Sequence, residues 1–178
     1  MTITLNGTTG INTPGVVNTA AGTVATTLTV TGVSTLTGGF TVGATAAPAF
    51  SAYSTVGTSV ADSTFTKLTS NTTRFDTNTN YASSRFTPTV AGYYQINAII
   101  GNAASATGYT QFNFYKNGSS YFGGPATSNA AFGPNTAGST LISLNGSTDY
   151  VEIYAFQNTG LTVTLTIKDF NGFLARSA

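Results

Sequence analysis

The chain has no cysteine and no histidine, and its only charges are six basic and five acidic side chains among 178 residues. Without cysteine there are neither disulfides nor thiolate metal sites, so stability has to come from packing or from assembly. Without histidine and cysteine the commonest general base and the strongest nucleophile are gone, which argues against enzyme chemistry. The expectation is a protein with no catalytic residues, no metal and no cofactor. A charged fraction of 6% stands against ~25% in typical soluble domains, so Thr, Ser and Asn must solvate the surface. The basic residues are scattered and the net charge is +1, which leaves no electrostatic footprint for nucleic acid or an anionic membrane. No stretch approaches the ~18 apolar residues of a membrane span, and no basic segment followed by an apolar run marks a secretory leader. Neither nucleic-acid binding nor membrane insertion is expected.

What the chain does contain is unevenly distributed. The first charged residue is Asp62, and residues 1–46 hold a single aromatic, Phe40, with Thr at 15 positions and Gly at 8. Such a stretch buries little apolar surface and cannot form an ordinary globular core. Short alternating pieces recur in it, as in Leu28-Thr29-Val30-Thr31-Gly32, Ser34-Thr35-Leu36-Thr37-Gly38 and Phe40-Thr41-Val42-Gly43. They are strand-like by period and β-branching but too short to close a face alone. Repeats of this kind become stable by stacking or by intertwining several chains, and a Gly/Thr linker is the competing reading, strongest for residues 12–24. The boundary is placed near Ala47, dividing the chain into 1–46 and 47–178.

Beyond the boundary the pattern is that of longer strands. Tyr94, Ile96, Ala98 and Ile100 share one face of a run whose other face carries Tyr93, Gln95 and Asn97, and Phe112 and Phe114 alternate with Gln111, Asn113 and Tyr115. Further strands are predicted over 140–144, 150–156 and 161–167. Asn117-Gly118 and Asn145-Gly146 each follow a strand pattern and predict type I′ hairpins, while Pro88 and Gly92 mark a turn before Tyr93. No window sustains a helical period, so the fold class is all-β.

Four segments in order match a known pattern: Ala49-Phe50-Ser51-Ala52-Tyr53, then Phe86-Thr87-Pro88 through Gly92-Tyr93-Tyr94, then Tyr115-Lys116-Asn117-Gly118, and finally Asp169-Phe170-Asn171-Gly172-Phe173-Leu174. Together they resemble the C1q/TNF-like jelly-roll domain over 47–178. That resemblance places Asn171-Gly172 inside a closing strand, against the local turn rule, and implies a homotrimer of jelly-roll knobs behind an N-terminal stalk. The glycines do not fall at every third residue, so the stalk is not collagenous. It looks instead like bacteriophage tail-fibre and head-fibre segments, and the opening Met1 to Ile11 looks like a phage structural-protein start. A β-rich or extended trimeric stalk is therefore expected, because strands that cannot close alone gain partners from two other copies.

Candidate sites follow from these readings. Ile3, Leu5 and Ile11 are the candidate virion-anchoring residues. Tyr94, Ile96, Phe112, Phe114, Val151, Ile153, Phe170 and Phe173 are candidates for knob core or trimer packing. Tyr109, Tyr121 and Asn129 are candidates to face a receptor, since an aromatic face beside amides suits carbohydrate, and residues 118–140, rich in Gly, Pro, Ser and Asn, read as a recognition loop region. Tyr53 and Tyr81 are read as loop aromatics of the same kind. Asp149 and Glu152, three apart, fall on opposite strand faces and make no catalytic pair, and Arg74 with Asp76 reads as a surface pair. The expected protein is a homotrimeric phage virion structural protein, a head or tail fibre or a capsid-decoration protein, docked on capsid or tail proteins at the particle surface. It would display its knob for adhesion to a host-surface glycan. A lectin-like tip module and a polysaccharide depolymerase are the alternatives.

Overall fold

In the computed structural model, the described residues are 47–101, 108–128 and 135–178, all within one compact unit, Thr41–Ala178. The stalk, its anchoring candidates Ile3, Leu5 and Ile11, and Asn129 lie outside the described residues. Twelve strands form among those described: β1 (Ala49–Tyr53), β2 (Thr58–Val60), β3 (Thr66–Lys67), β4 (Thr72–Asp76), β5 (Tyr81–Ala82), β6 (Arg85–Phe86), β7 (Gly92–Gly101), β8 (Tyr109–Lys116), β9 (Ser119–Ser128), β10 (Asn135–Leu144), β11 (Val151–Gln157) and β12 (Val163–Ser177). They pair antiparallel in two sheets, the first in the order β10-β7-β12-β1-β4 with β2 against β12, the second in the order β5-β6-β11-β8-β9 with β3 against β11.

Period-2 alternation decides the layers. Tyr94, Ile96, Ala98 and Ile100 from the first sheet meet Phe112, Phe114, Val151, Ile153 and Ala155 from the second in one buried core. Phe50 anchors it, stacked on Phe86 at 4.3 Å and on Tyr81 at 4.9 Å, with Phe170 edge-on at 4.9 Å. Tyr81 is thus a core-packed ring and not a loop aromatic. Tyr94 donates its hydroxyl to the Val90 carbonyl at 2.6 Å, and burial pushes its pKa up to about 12.

Four sequence expectations are corrected. The runs predicted over 161–167 and 169–174 fall in one strand, β12, which begins at Val163 and has a register shift between Ile167 and Asp169. The extra residue at that shift lets Ile167 and Phe170, three apart, both point inward. Asn145-Gly146 does not close a hairpin, because β10 and β11 belong to different sheets and Asn145-Gly146 opens the crossing between them. There the Asn145 side-chain oxygen accepts backbone N–H groups of Ser147, Thr148 and Asp149, at 2.9–3.0 Å. Residues 118–140 are mostly strand: β9 and β10 occupy all but the turn and the segment between them. Gly124 and Pro125 are accommodated because β9 is an edge strand with a register shift opposite Phe112. Arg74 pairs with Asp169 at 2.7 Å, while Asp76 accepts the backbone N–H groups of Asn80 and Tyr81.

Two expectations drawn from the chain hold. Asn117 and Gly118 have φ of 53° and 78° and close a two-residue turn between Lys116 and Ser119. Gly172 sits within β12, where a Cβ would come 2.5 Å from Ile96 and 3.0 Å from the Phe50 ring. Close approach of core side chains, not turn geometry, requires that glycine.

Candidate functional site

The outward face of the first sheet is read directly from strand register. Across β10, β7 and β12 the rows are Ala137-Ile99-Asp169, Ser139-Asn97-Asn171, Leu141-Gln95-Phe173 and Ser143-Tyr93-Arg176. Ser51 of β1 and Phe75 of β4 extend the second row and Ala49 the third. Five large apolar side chains stand exposed here: Leu141 at 53%, Phe75 at 51%, Phe173 at 49%, Tyr93 at 45% and Ile99 at 37%. A chain this poor in charge has spent apolar side chains on solvent across one sheet face, which marks an interaction surface.

A polar relay runs through the middle of the face. Asn97 donates to Asn171 at 2.9 Å, Asn171 to Asp169 at 2.6 Å, and Arg74 to Asp169 and to Ser51 at 2.7 and 3.1 Å. Gln95 continues it by donating to Asn97 at 3.3 Å. The Arg74 guanidinium also lies 4.4 Å from the Tyr53 ring centre, so that tyrosine supports the pair rather than a loop.

The predicted site residues separate by location. Tyr94, Ile96, Phe112, Phe114, Val151, Ile153 and Phe170 are fully buried and hold the core. Phe173, in the same expected group, points outward and belongs to the exposed face. Tyr109 opens β8, while Tyr121 lies in β9 beyond the Phe114 level, about 17 Å along the strands at ~3.3 Å per residue. The structure therefore does not bring these two tyrosines together. Tyr121 is exposed, at the seam of the two sheets, where its hydroxyl donates to the Leu141 carbonyl at 3.3 Å.

The carboxylates are each engaged separately. Glu152 is buried and takes Lys67 and Arg85 on one oxygen, at 2.6 and 2.9 Å. Asp149 lies in the loop before β11, where the amide of Asn117 is the main cause holding its pKa below the usual carboxylate range, with Lys116 assisting. Asp149 also accepts the Asn145 backbone N–H, so it ties the two Asn-Gly segments at one end of the sandwich. That link joins residues 28 positions apart in sequence, and no local signal announces it. Among the described residues, no three of His, Cys, Asp and Glu gather where they could hold a metal ion.

No protein-family model matches the chain, and no curated relative does. Solved structures do match. The globular domain of zebrafish complement 1qA protein superposes with a TM-score of 0.54 at 19% identity, over 74% of this chain and 98% of that one. The PRD1 vertex protein P5 gives a TM-score of 0.57 at 20% identity, over 75% and 99%. Murine APRIL gives 0.51 at 11% identity, over 71% and 97%. The fold is a C1q/TNF-like jelly roll. In this jelly roll the first sheet carries the exposed apolar face. Among the described residues no helix is long and apolar enough to cross a membrane.

Proposed function

We propose that the chain is a homotrimeric structural protein of a bacteriophage virion, a fibre or capsid-decoration protein. Residues 1–46 form its stalk and anchoring segment, and the jelly roll is its displayed knob. The observation that carries the trimer is the outward face of β10, β7, β12, β1 and β4. Its five exposed apolar side chains surround a self-satisfied polar relay, so that copies meeting there bury Phe173 and Leu141 with the Arg74–Asp169 pair closed on itself, while Arg176 stays exposed in the Tyr93 row at one end of the face. Three copies are supported by the resemblance of the chain to trimeric jelly rolls and by a Thr/Gly-rich segment whose short alternating repeats, read from the sequence, predict a need for partner chains. The virion role is supported by the phage-like stalk and opening segment, and by the fold shared with a vertex protein of PRD1. Its partners at the particle are capsid or tail proteins.

Mass photometry tests the assembly, with a species at three times 18.2 kDa expected for the intact chain. Phe173→Asp should convert it to the single-chain species, because a carboxylate placed in an apolar interface cannot be desolvated. A wild-type protein that remains a single chain at micromolar concentration overturns the trimer. Labelling of purified particles with antibody to the knob tests the virion role, and absence of label from intact particles refutes it.

A further inference from the structure

Asn-Gly occurs four times in the chain, at 6–7, 117–118, 145–146 and 171–172, and the last three lie among the described residues. The dipeptide is chemically labile, because glycine has no side chain to keep its backbone nitrogen away from the asparagine side-chain carbonyl carbon. Attack there closes a cyclic imide. Whether a given pair reacts in the folded chain depends on how much structure must open first.

The three pairs are held to different degrees. Asn171-Gly172 lies inside β12, laddered to β7 on one side and β1 on the other, with Gly172 buried. Asn145 turns its side-chain oxygen to the N–H groups of Ser147, Thr148 and Asp149, and a Cβ on Gly146 would stand 2.3 Å from the Ala91 nitrogen, so this pair has little room to turn. Asn117-Gly118 differs on each count. Both residues are exposed, and apart from its chain neighbours nothing would come nearer a Cβ on Gly118 than the Tyr150 hydroxyl, at 3.6 Å. The turn closes on the pair Lys116 and Ser119, so the Gly118 nitrogen that has to attack stands outside the ladder. The Asn117 side chain is held by the Tyr150 N–H, which it accepts at 3.0 Å, and by Asp149, to which it donates at 2.7 Å.

We infer that Asn117-Gly118 is a self-modification site, a slow deamidation whose product is sensed by Asp149. The Gly118 nitrogen, its proton taken by solvent, bonds to the side-chain carbonyl carbon of Asn117, and the carbon–nitrogen bond of the amide breaks to release ammonia. Water then opens the imide at one carbonyl or the other and leaves Asp or isoAsp. An amide and a water have become a carboxylate and ammonium. The new carboxylate cannot donate, and it faces Asp149 across the 2.7 Å that the hydrogen bond spanned, where like charges repel. Asp149 also accepts from Lys116 at 2.9 Å and from the Asn145 N–H at 3.1 Å, and Lys116 reaches the Ser143 carbonyl at 2.7 Å. Repulsion at Asp149 therefore loosens the β8–β9 turn from the crossing between the sheets. IsoAsp, which adds a carbon to the main chain of a two-residue turn, loosens it further. One negative charge is added to a chain whose net charge is +1. The site belongs to the subunit and requires neither the trimer nor the particle.

The test is to age the intact chain at mildly alkaline pH, digest it with chymotrypsin and follow each amide by mass spectrometry. Cuts after Tyr115, Leu144 and Phe170 deliver the three pairs in separate peptides. Asn117 is expected to convert about tenfold or more faster than Asn145 or Asn171, since those need a larger opening, and the rates should converge in the chain unfolded by urea. Asn117→Asp, which installs one product directly, should lower the thermal midpoint by several degrees, and by less in high salt. Adding Asp149→Asn puts a donor opposite the new acceptor and should recover most of that loss, which a merely destabilising second change would deepen. Equal conversion of the three in the folded chain overturns the site, as does an Asn117 that survives there after the unfolded chain has reacted. An unshifted midpoint in Asn117→Asp, or a loss that Asp149→Asn does not recover, overturns the sensing by Asp149.

Discussion

The two outer faces of this sandwich start from the same backbone geometry and diverge in what their outward positions hold. On the first sheet, apolar side chains stand apart from one another around a relay of Asn97, Asn171, Asp169, Arg74 and Ser51 that satisfies itself. On the second, Gln111, Asn113 and Glu152 each face a ring across the strand pair, and the rings touch. Both faces close their polar groups on themselves, and they differ in that five large apolar side chains of the first stand exposed to solvent while the rings of the second pack on one another. Within β12 the contrast is between core and outer face, since Phe170 and Phe173 are three residues apart and point to opposite sides.

That pair gives the largest expected effect. Phe170→Ala should cost about 3–5 kcal/mol of subunit stability, because the ring is fully buried against Phe50 and Tyr81 and its loss leaves a cavity. Phe173→Ala should leave subunit stability within about 1 kcal/mol while weakening self-association. Chemical denaturation at low protein concentration, with mass photometry alongside, separates the two. Equal destabilisation by both would erase the distinction between core and face.

Glu152 comes next. Changing it to Gln removes the carboxylate that holds Lys67 and Arg85, and those cations retain partial access to water, with side-chain exposures of 29% and 40%. A loss of about 1–3 kcal/mol in urea denaturation is expected, below the cost of breaking a wholly buried pair. Glu152→Gln should also disturb the ring next to it, since the Glu152 charge is one reason, after burial, that the Tyr154 pKa is raised. A fall in the Tyr154 pKa in the variant, followed by ultraviolet titration, would report that coupling.

Much of this was legible in the chain. The alternation of Tyr94, Ile96, Ala98 and Ile100 already named a core face, and Asn117-Gly118 already named its turn, because both signals are local. Misreadings came where long-range packing overrides local chemistry. Gly123-Gly124-Pro125 has the composition of a loop, but an edge strand with a register shift tolerates proline. Asn145-Gly146 has the composition of a hairpin, but the next strand belongs to the other sheet. The outward rings and polar groups of 109–117 and 150–158 were present in the residues, yet each run alone reads as an ordinary half-buried strand. Only their register shows that rings on one strand oppose polar groups on the other.

Tyrosine ionisation probes the core that both faces share. Burial raises the pKa of Tyr81 and Tyr94 to about 12 from 10.0. Unfolding restores the ordinary value, so the unfolded chain gives up these protons first as pH rises. The stability they contribute is complete below pH about 10 and is lost as pH rises toward about 12. Thermal melts should fall over that window, and Tyr94→Phe should fall less steeply while losing about 1 kcal/mol at pH 8 with its hydrogen bond to Val90. A variant whose alkaline slope matches the wild type would show that Tyr94 is not the titrating group.

The smallest expected effect lies back on the first face, at Asp169. The carboxylate and Arg74 are 29% and 46% exposed, so solvent screens their attraction even at 2.7 Å. Asp169→Asn should therefore change subunit stability by about 0–1 kcal/mol, and the difference should shrink further in high salt. Its effect on assembly should be larger than on stability. In the single chain Arg74 without the Asp169 charge still reaches water, but once copies cover this face it keeps only neutral partners, among them Ser51, the Lys168 carbonyl and the Tyr53 ring. Self-association measured by sedimentation should weaken in Asp169→Asn while the denaturation midpoint scarcely moves. The reverse outcome, a lowered midpoint with unchanged association, would mean that the relay braces the sheet and that the apolar side chains around it do not face another copy.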